Sequence, residues 1–188
     1  PRLRGAGMST PALLRDLRGA LASRIHGLSF SAYGPGQGPD RETSLTELEV
    51  RERLSVIAPY TKWIRTFSCT QGNEIAPRVA REFGLKTMVG AWIGEDAERN
   101  RAELEGLADL AREGLVDLAA VGNEVLLRGE MDEDALIGRL DAFRAVAPGV
   151  PVATVDAYFL FVAHPRLAAA CDYLPLNCYP FWEEVALE

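Results

Sequence analysis

Cysteine, histidine and positive charge are all scarce in this chain. Three cysteines, Cys69, Cys171 and Cys178, occur in 188 residues. That number is too small and too odd for a disulfide framework. They read as free thiols, with a Cys171–Cys178 bridge the one pairing left open. The only histidines, His26 and His164, lie far apart and in no Cys–His zinc spacing. No metal or cofactor is expected. Lysine and arginine total 20 against 27 aspartates and glutamates, a net charge of -7. That deficit excludes the basic surface a nucleic acid or an anionic membrane would need. No apolar run is long enough to span a bilayer, and no apolar signal-peptide core opens the chain. Pro1–Gly7 is basic and glycine-rich and reads as a non-native leader before Met8. The chain is cytoplasmic if Met8 is the native start, and its location is otherwise unassigned. No G-x-G-x-x-G follows the first expected strand, so a dinucleotide site has no support.

What is present is a rhythm. Hydrophobic residues make up 48% of the chain, enough for one domain with a core, expected over residues 8–188. Strands are expected within Arg24–Ala32, Trp63–Phe67, Leu85–Ala91, Leu115–Val121, Val150–Thr154 and Asp172–Asn177. Helices are expected between them. One runs from Ser44, with Ser44 and Glu47 as a capping box, to Ala58. Others span Glu74–Phe83, Asp96–Glu113, Asp132–Val146 and Pro165–Ala170, and Gly84 and Gly114 stop two of them. Near-continuous apolar strands alternating with helices indicate a parallel sheet covered on both faces. A doubly wound sheet and a barrel both fit that alternation. Polar and aromatic residues cluster just after the strands: Tyr33, Arg65, Trp92, Glu124, Asp156, Asn177 and Tyr179. That is where a barrel builds its active face. The expectation is an α/β fold, a (β/α)8 TIM barrel stopping after about six βα units, since a whole barrel takes about 250 residues.

Val121-Gly122-Asn123-Glu124 delivers a carboxylate at the end of the fourth strand, with an amide donor before it. A glutamate so placed suits a glycosidase general acid, which must still carry its proton at neutral pH. Arg65, a charge inside a buried strand, needs a partner. Either it pairs with a core carboxylate or it holds a nucleophile ionised. Tyr33, Tyr179, Trp182, Trp92 and Phe181 are core filler or planes for sugar faces. Asp156 either caps the next segment or binds a sugar hydroxyl.

Taken in order, G-L-S-F-S-A-Y-G-P-G-Q (27–37), W-I-R-T-F (63–67), L-K-T-M-V-G-A-W-I (85–93), V-G-N-E-V-L-L-R (121–128), V-P-V-A-T-V-D (150–156) and N-C-Y-P-F-W-E (177–183) resemble glycoside hydrolase family 17, the β-1,3-glucanases. The resemblance covers about the N-terminal two-thirds of such a barrel. It implies a retaining hydrolase acting on laminarin-type β-1,3-glucan, with Glu124 as acid/base and Asn123 on the sugar 2-hydroxyl. Arg65, Tyr33, Asp156, Asn177, Tyr179 and Trp182 are the remaining expected substrate contacts. The family's nucleophile lies in a motif like E-x-G-W-P-S after strand seven. Glu183, Glu184 and Glu188 do not match it, so the nucleophile is not expected in this chain, and this chain alone need not be active. Transglycosylation, and non-catalytic glucan binding, stay open beside hydrolysis. A phosphate-handling barrel has no positive support. The expected partners are a β-glucan and, through open barrel edges, a second copy of the chain.

Overall fold

The computed structural model describes residues 7–41, 43–180 and 182. Phe181, Glu183, Glu184 and Glu188 lie outside the described residues, as does all of the expected leader but Gly7. The elements, in order, are α1 (Thr10–Ala22), β1 (Ile25–Ser29), α2 (Glu47–Ile57), β2 (Thr61–Arg65), α3 (Ile75–Glu82), β3 (Lys86–Ala91), α4 (Ala97–Arg112), β4 (Leu118–Asn123), α5 (Glu133–Val146), β5 (Val152–Ala157), α6 (Tyr158–Ala163), α7 (Pro165–Ala170) and β6 (Leu176–Asn177).

All six strands pair in parallel, in the order β1-β2-β3-β4-β5-β6. A doubly wound sheet reverses its strand order at a switch point. This one never does, and it curls as an open part of a (β/α)8 barrel. Two apolar clusters fill the space between sheet and helices. One joins Val50 and Leu54 of α2 and Val79 of α3 to Ile64 of β2. The other joins Leu107 and Leu110 of α4 and Leu136 and Leu140 of α5 to Val89, Val121 and Val152.

Three expectations need correction. The cap of α2 is Thr46, not Ser44: its side chain accepts from the Glu49 N–H, and Glu49 accepts from the Thr46 N–H. The segment S-L-T-E-L-E holds two overlapping capping boxes. Burial of Leu45 before the cap and of Val50 in the first turn favours the later one, as a hydrophobic staple does. β6 spans two residues rather than six. Finally, α1 and α6 are additions to the expected order. α1 buries none of its residues, so no core face marks it.

Candidate active site

The end of β4 is irregular, and the site depends on that. Its register against β5 runs Ala119↔Val152, Ala120↔Ala153 and then Asn123↔Val155, one more residue on β4 than on β5. That is a bulge, a device that re-aims side chains. Gly122 within it has φ +90°, and a Cβ there would stand 2.6 Å from Val125 Cγ2. Glu124 follows at φ 57°, and its N–H donates to the Val155 carbonyl at 2.7 Å. In a regular strand, residues 123 and 124 would point to opposite faces. Here both meet one amide: Asn177 Nδ2 donates to Glu124 Oε1 at 2.7 Å and reaches Asn123 Oδ1 at 3.5 Å.

Two more expected residues join them. The Tyr179 hydroxyl also donates to Glu124 Oε1. Partial burial, and then the Glu124 carboxylate beside it, push its pKa up to about 12. It therefore keeps its proton and remains a donor across the neutral range. Arg65, at the end of β2, donates through Nη2 to Asn123 Oδ1 at 2.5 Å and through Nη1 to Asn177 Oδ1 at 3.5 Å. Its guanidinium lies 4.7 Å over the Phe67 ring. Among the described residues its hydrogen-bond partners are amides, not the core carboxylate that one sequence reading expected, and its Nε is buried without a partner. Burial draws its pKa down, and the nearby Tyr179 and Glu124 groups oppose that. With Oδ1 on Arg65, the Asn123 amide has its NH2 left to donate.

Asp156 is placed differently from the expected sugar contact. It is fully buried, and it accepts from the Ala157 N–H at 2.8 Å and the Leu126 N–H at 3.1 Å. Burial raises its pKa, and these backbone donors pull the other way. It braces the turn that carries Glu124 from beneath.

A cleft of about 360 Å³ is walled by Phe30, Tyr33, Phe67, Ser68, Asn73 and Trp92; it meets the cluster through Phe67, the ring under Arg65, and Glu124 itself does not line it. That volume suits a small ligand. The Tyr33 hydroxyl accepts from Asn73 Nδ2 at 3.0 Å. Trp182 is 79% exposed and outside the cleft wall.

Arg128 links cleft and cluster. It donates to the carbonyls of Asn123 and, at 3.0 Å, Ile93, pairs with Glu130, and stacks 4.7 Å over the Trp92 ring. Arg128 closes the motif V-G-N-E-V-L-L-R, where the sequence alone marks no role for it. Glu103, buried on α4, lies outside every strand-end motif. Carrying the apolar face of Leu107 and Leu110 back by helical spacing lands on Glu103 and Asn100, polar residues where core is due. Among the described residues no His, Cys, Asp and Glu cluster could hold a metal.

Comparison with known proteins gives a consistent set of likenesses. Residues 27–188 match the BtgE/BtgC glycoside hydrolase domain. A glucan 1,3-beta-glucosidase of Schizosaccharomyces pombe is 28% identical over 143 residues, 69% of this chain and 44% of that protein. One from Arthroderma benhamiae is 27% identical over 133 residues, 66% of this chain and 42% of that protein. Among solved structures, an active-site mutant of the Rhizomucor miehei beta-1,3-glucanosyltransferase in complex with laminaritriose aligns with TM-score 0.73 and 27% identity, covering 87% of this chain and 60% of that one. The chain thus spans less than half the length of the two glucosidases it matches.

Proposed function

The chain belongs to the BtgE/BtgC glycoside hydrolase domain family, and on that premise we propose that it carries the acid/base side of a retaining site for β-1,3-glucan. The observation that carries the reading is the kinked end of β4, where Asn123 and Glu124 meet on Asn177. Glu124 protonates the glycosidic oxygen as the bond to the leaving sugar breaks. It then takes a proton from the acceptor that attacks the glycosyl intermediate. Tyr179 and Asn177 both hold Oε1, which leaves Oε2 to carry the proton. The Asn123 NH2 donates to the 2-hydroxyl, a bond that strengthens at the transition state. Tyr33 and Trp92 offer planes to the apolar faces of sugar rings. A retaining mechanism needs a second carboxylate about 5 Å from the first. Asp156 is braced on backbone amides, so no described residue takes that role. The relatives' names support β-1,3-glucan as the substrate class, with water or a sugar hydroxyl as acceptor.

The test is to incubate the chain with reduced-end-labelled laminarihexaose and follow products by mass spectrometry. Hydrolysis would give shorter products and transfer products longer than the hexaose, and either would require a second carboxylate from outside the described residues. Binding without any product would instead support a non-catalytic glucan-binding role, the reading that Asp156's commitment to backbone favours.

The same chain should self-associate. Among the described residues β1 and β6 each pair on one side only, and Leu174 and Leu176 are about half exposed beside the β6 edge. Unpaired edges invite pairing with another chain. Sedimentation velocity across a dilution series should show mass rising with concentration. A single monomeric species throughout would remove the idea.

A further inference from the structure

Resting on the glucan reading above, we infer that Glu103 is a positioning residue. It clamps the loop after β2 to the loop after β3 and so sets the width of the cleft. Glu103 lies on α4, away from the reacting atoms, and is completely buried. Its Oε1 accepts from the Ser68 hydroxyl at 2.5 Å and the Thr70 hydroxyl at 2.7 Å. Its Oε2 accepts from the Cys69 N–H at 2.7 Å and the Trp92 N–H at 3.1 Å. Three of these donors follow β2 and the fourth follows β3, so a single carboxylate spans two crossover loops. Two of the four residues held, Ser68 and Trp92, are cleft wall. A buried carboxylate persists only when its oxygens are satisfied, and here the donors that satisfy it are the walls to be positioned.

Two neighbouring features make the clamp rigid. α4 lies so close to the first loop that a Cβ at Gly106 would stand 2.7 Å from the Cys69 carbonyl oxygen. One turn before Glu103, Asn100 holds Gly94 from both sides: its Nδ2 donates to the Gly94 carbonyl at 2.6 Å and its Oδ1 accepts from the Gly94 N–H at 2.8 Å. The helix therefore serves as a template for the loops above it. The Arg128 stack on Trp92 then ties one clamped wall to the strand that carries Glu124.

The experiment compares the chain with Glu103→Ala, Glu103→Gln and Thr70→Val. Each is titrated with laminarihexaose by calorimetry, and amide exchange is followed at Cys69 and Trp92. Glutamine keeps the reach: its carbonyl can accept from the two backbone amides while its NH2 donates to the two hydroxyl oxygens. Alanine leaves the Cys69 and Trp92 N–H groups without an acceptor, and the Ser68 and Thr70 hydroxyls with only each other. The expected result is a Kd raised about tenfold in Glu103→Ala, with faster exchange at Cys69 and Trp92, and near-normal values for both in Glu103→Gln. Thr70→Val removes one clamp donor outside the cleft wall and is expected to weaken binding about threefold. It decides the matter if the alanine variant does not fold. Normal exchange in a folded Glu103→Ala overturns the inference. So does loosened exchange with an unchanged Kd. Failure of the parent chain to bind laminarihexaose would sink the glucan reading alone, and the exchange comparison would still decide the clamp.

Discussion

In an enzyme form that carries both Glu124 and the second carboxylate, Glu124→Gln should lower kcat/KM on laminari-oligosaccharides by on the order of 10³-fold, the usual worth of a positioned general acid. The substitution isolates the proton. Glutamine is isosteric, and its carbonyl oxygen can accept the same bonds that Asn177 and Tyr179 give to Oε1. The cluster should stay assembled, and laminarihexaose should bind with near-normal affinity. A dinitrophenyl leaving group gives the decisive contrast, since it departs without protonation. If Glu124 is the acid, release of dinitrophenol in the first turnover should survive the change while oligosaccharide cleavage does not. Equal loss on both substrates would move Glu124 to another role. Equal turnover by variant and parent would remove it from the chemistry.

Arg65→Met should separate activity from stability. Arg65 holds the oxygens of Asn123 and Asn177, the two amides that flank Glu124. Without it either amide can rotate, and misplacement on that scale costs about 10²-fold in rate. Stability should move little, or rise by about 1 kcal/mol. Among the described residues the guanidinium's hydrogen-bond partners are neutral and its Nε is buried without a partner, whereas a methionine can fill the space over Phe67. Lysine should not restore activity, because one ammonium cannot span two amides as the planar fork does. The checks, made for both variants, are kcat/KM in the form that carries the second carboxylate and the urea midpoint of this chain. A methionine variant that keeps full activity would make Arg65 scaffold only. A large drop in midpoint would mean its amide bonds hold the fold.

Much of this is legible in the sequence. Strand and helix order, and the barrel rather than the doubly wound sheet, follow from apolar rhythm and from where polar residues cluster. Glu124, Asn123, Arg65, Asn177 and Tyr179 are expected near one another, and they meet. The means by which they meet is not legible. Regular alternation would set Asn123 and Glu124 on opposite faces, and only the bulge at Gly122 brings them together. Asp156 looks like a sugar ligand because it ends a strand. Burial is a property of what packs over a residue, and here that is the Glu124 turn itself. Glu103 is half legible: helical spacing from Leu107 and Leu110 puts it on the buried face of α4, but the loops it holds are known only once they are in place.

The left-handed backbone at Glu124 also bears on how this chain would drift or be engineered. Holding a glutamate at φ 57° costs about 1 kcal/mol, a strain that glycine, and to a lesser degree asparagine, would relieve. Both replacements delete the carboxylate. A mutant library screened for thermal tolerance alone would therefore enrich Glu124→Gly or Glu124→Asn, and one screened for turnover would retain the strained parent. Any thermostabilisation of this chain should hold Glu124 fixed.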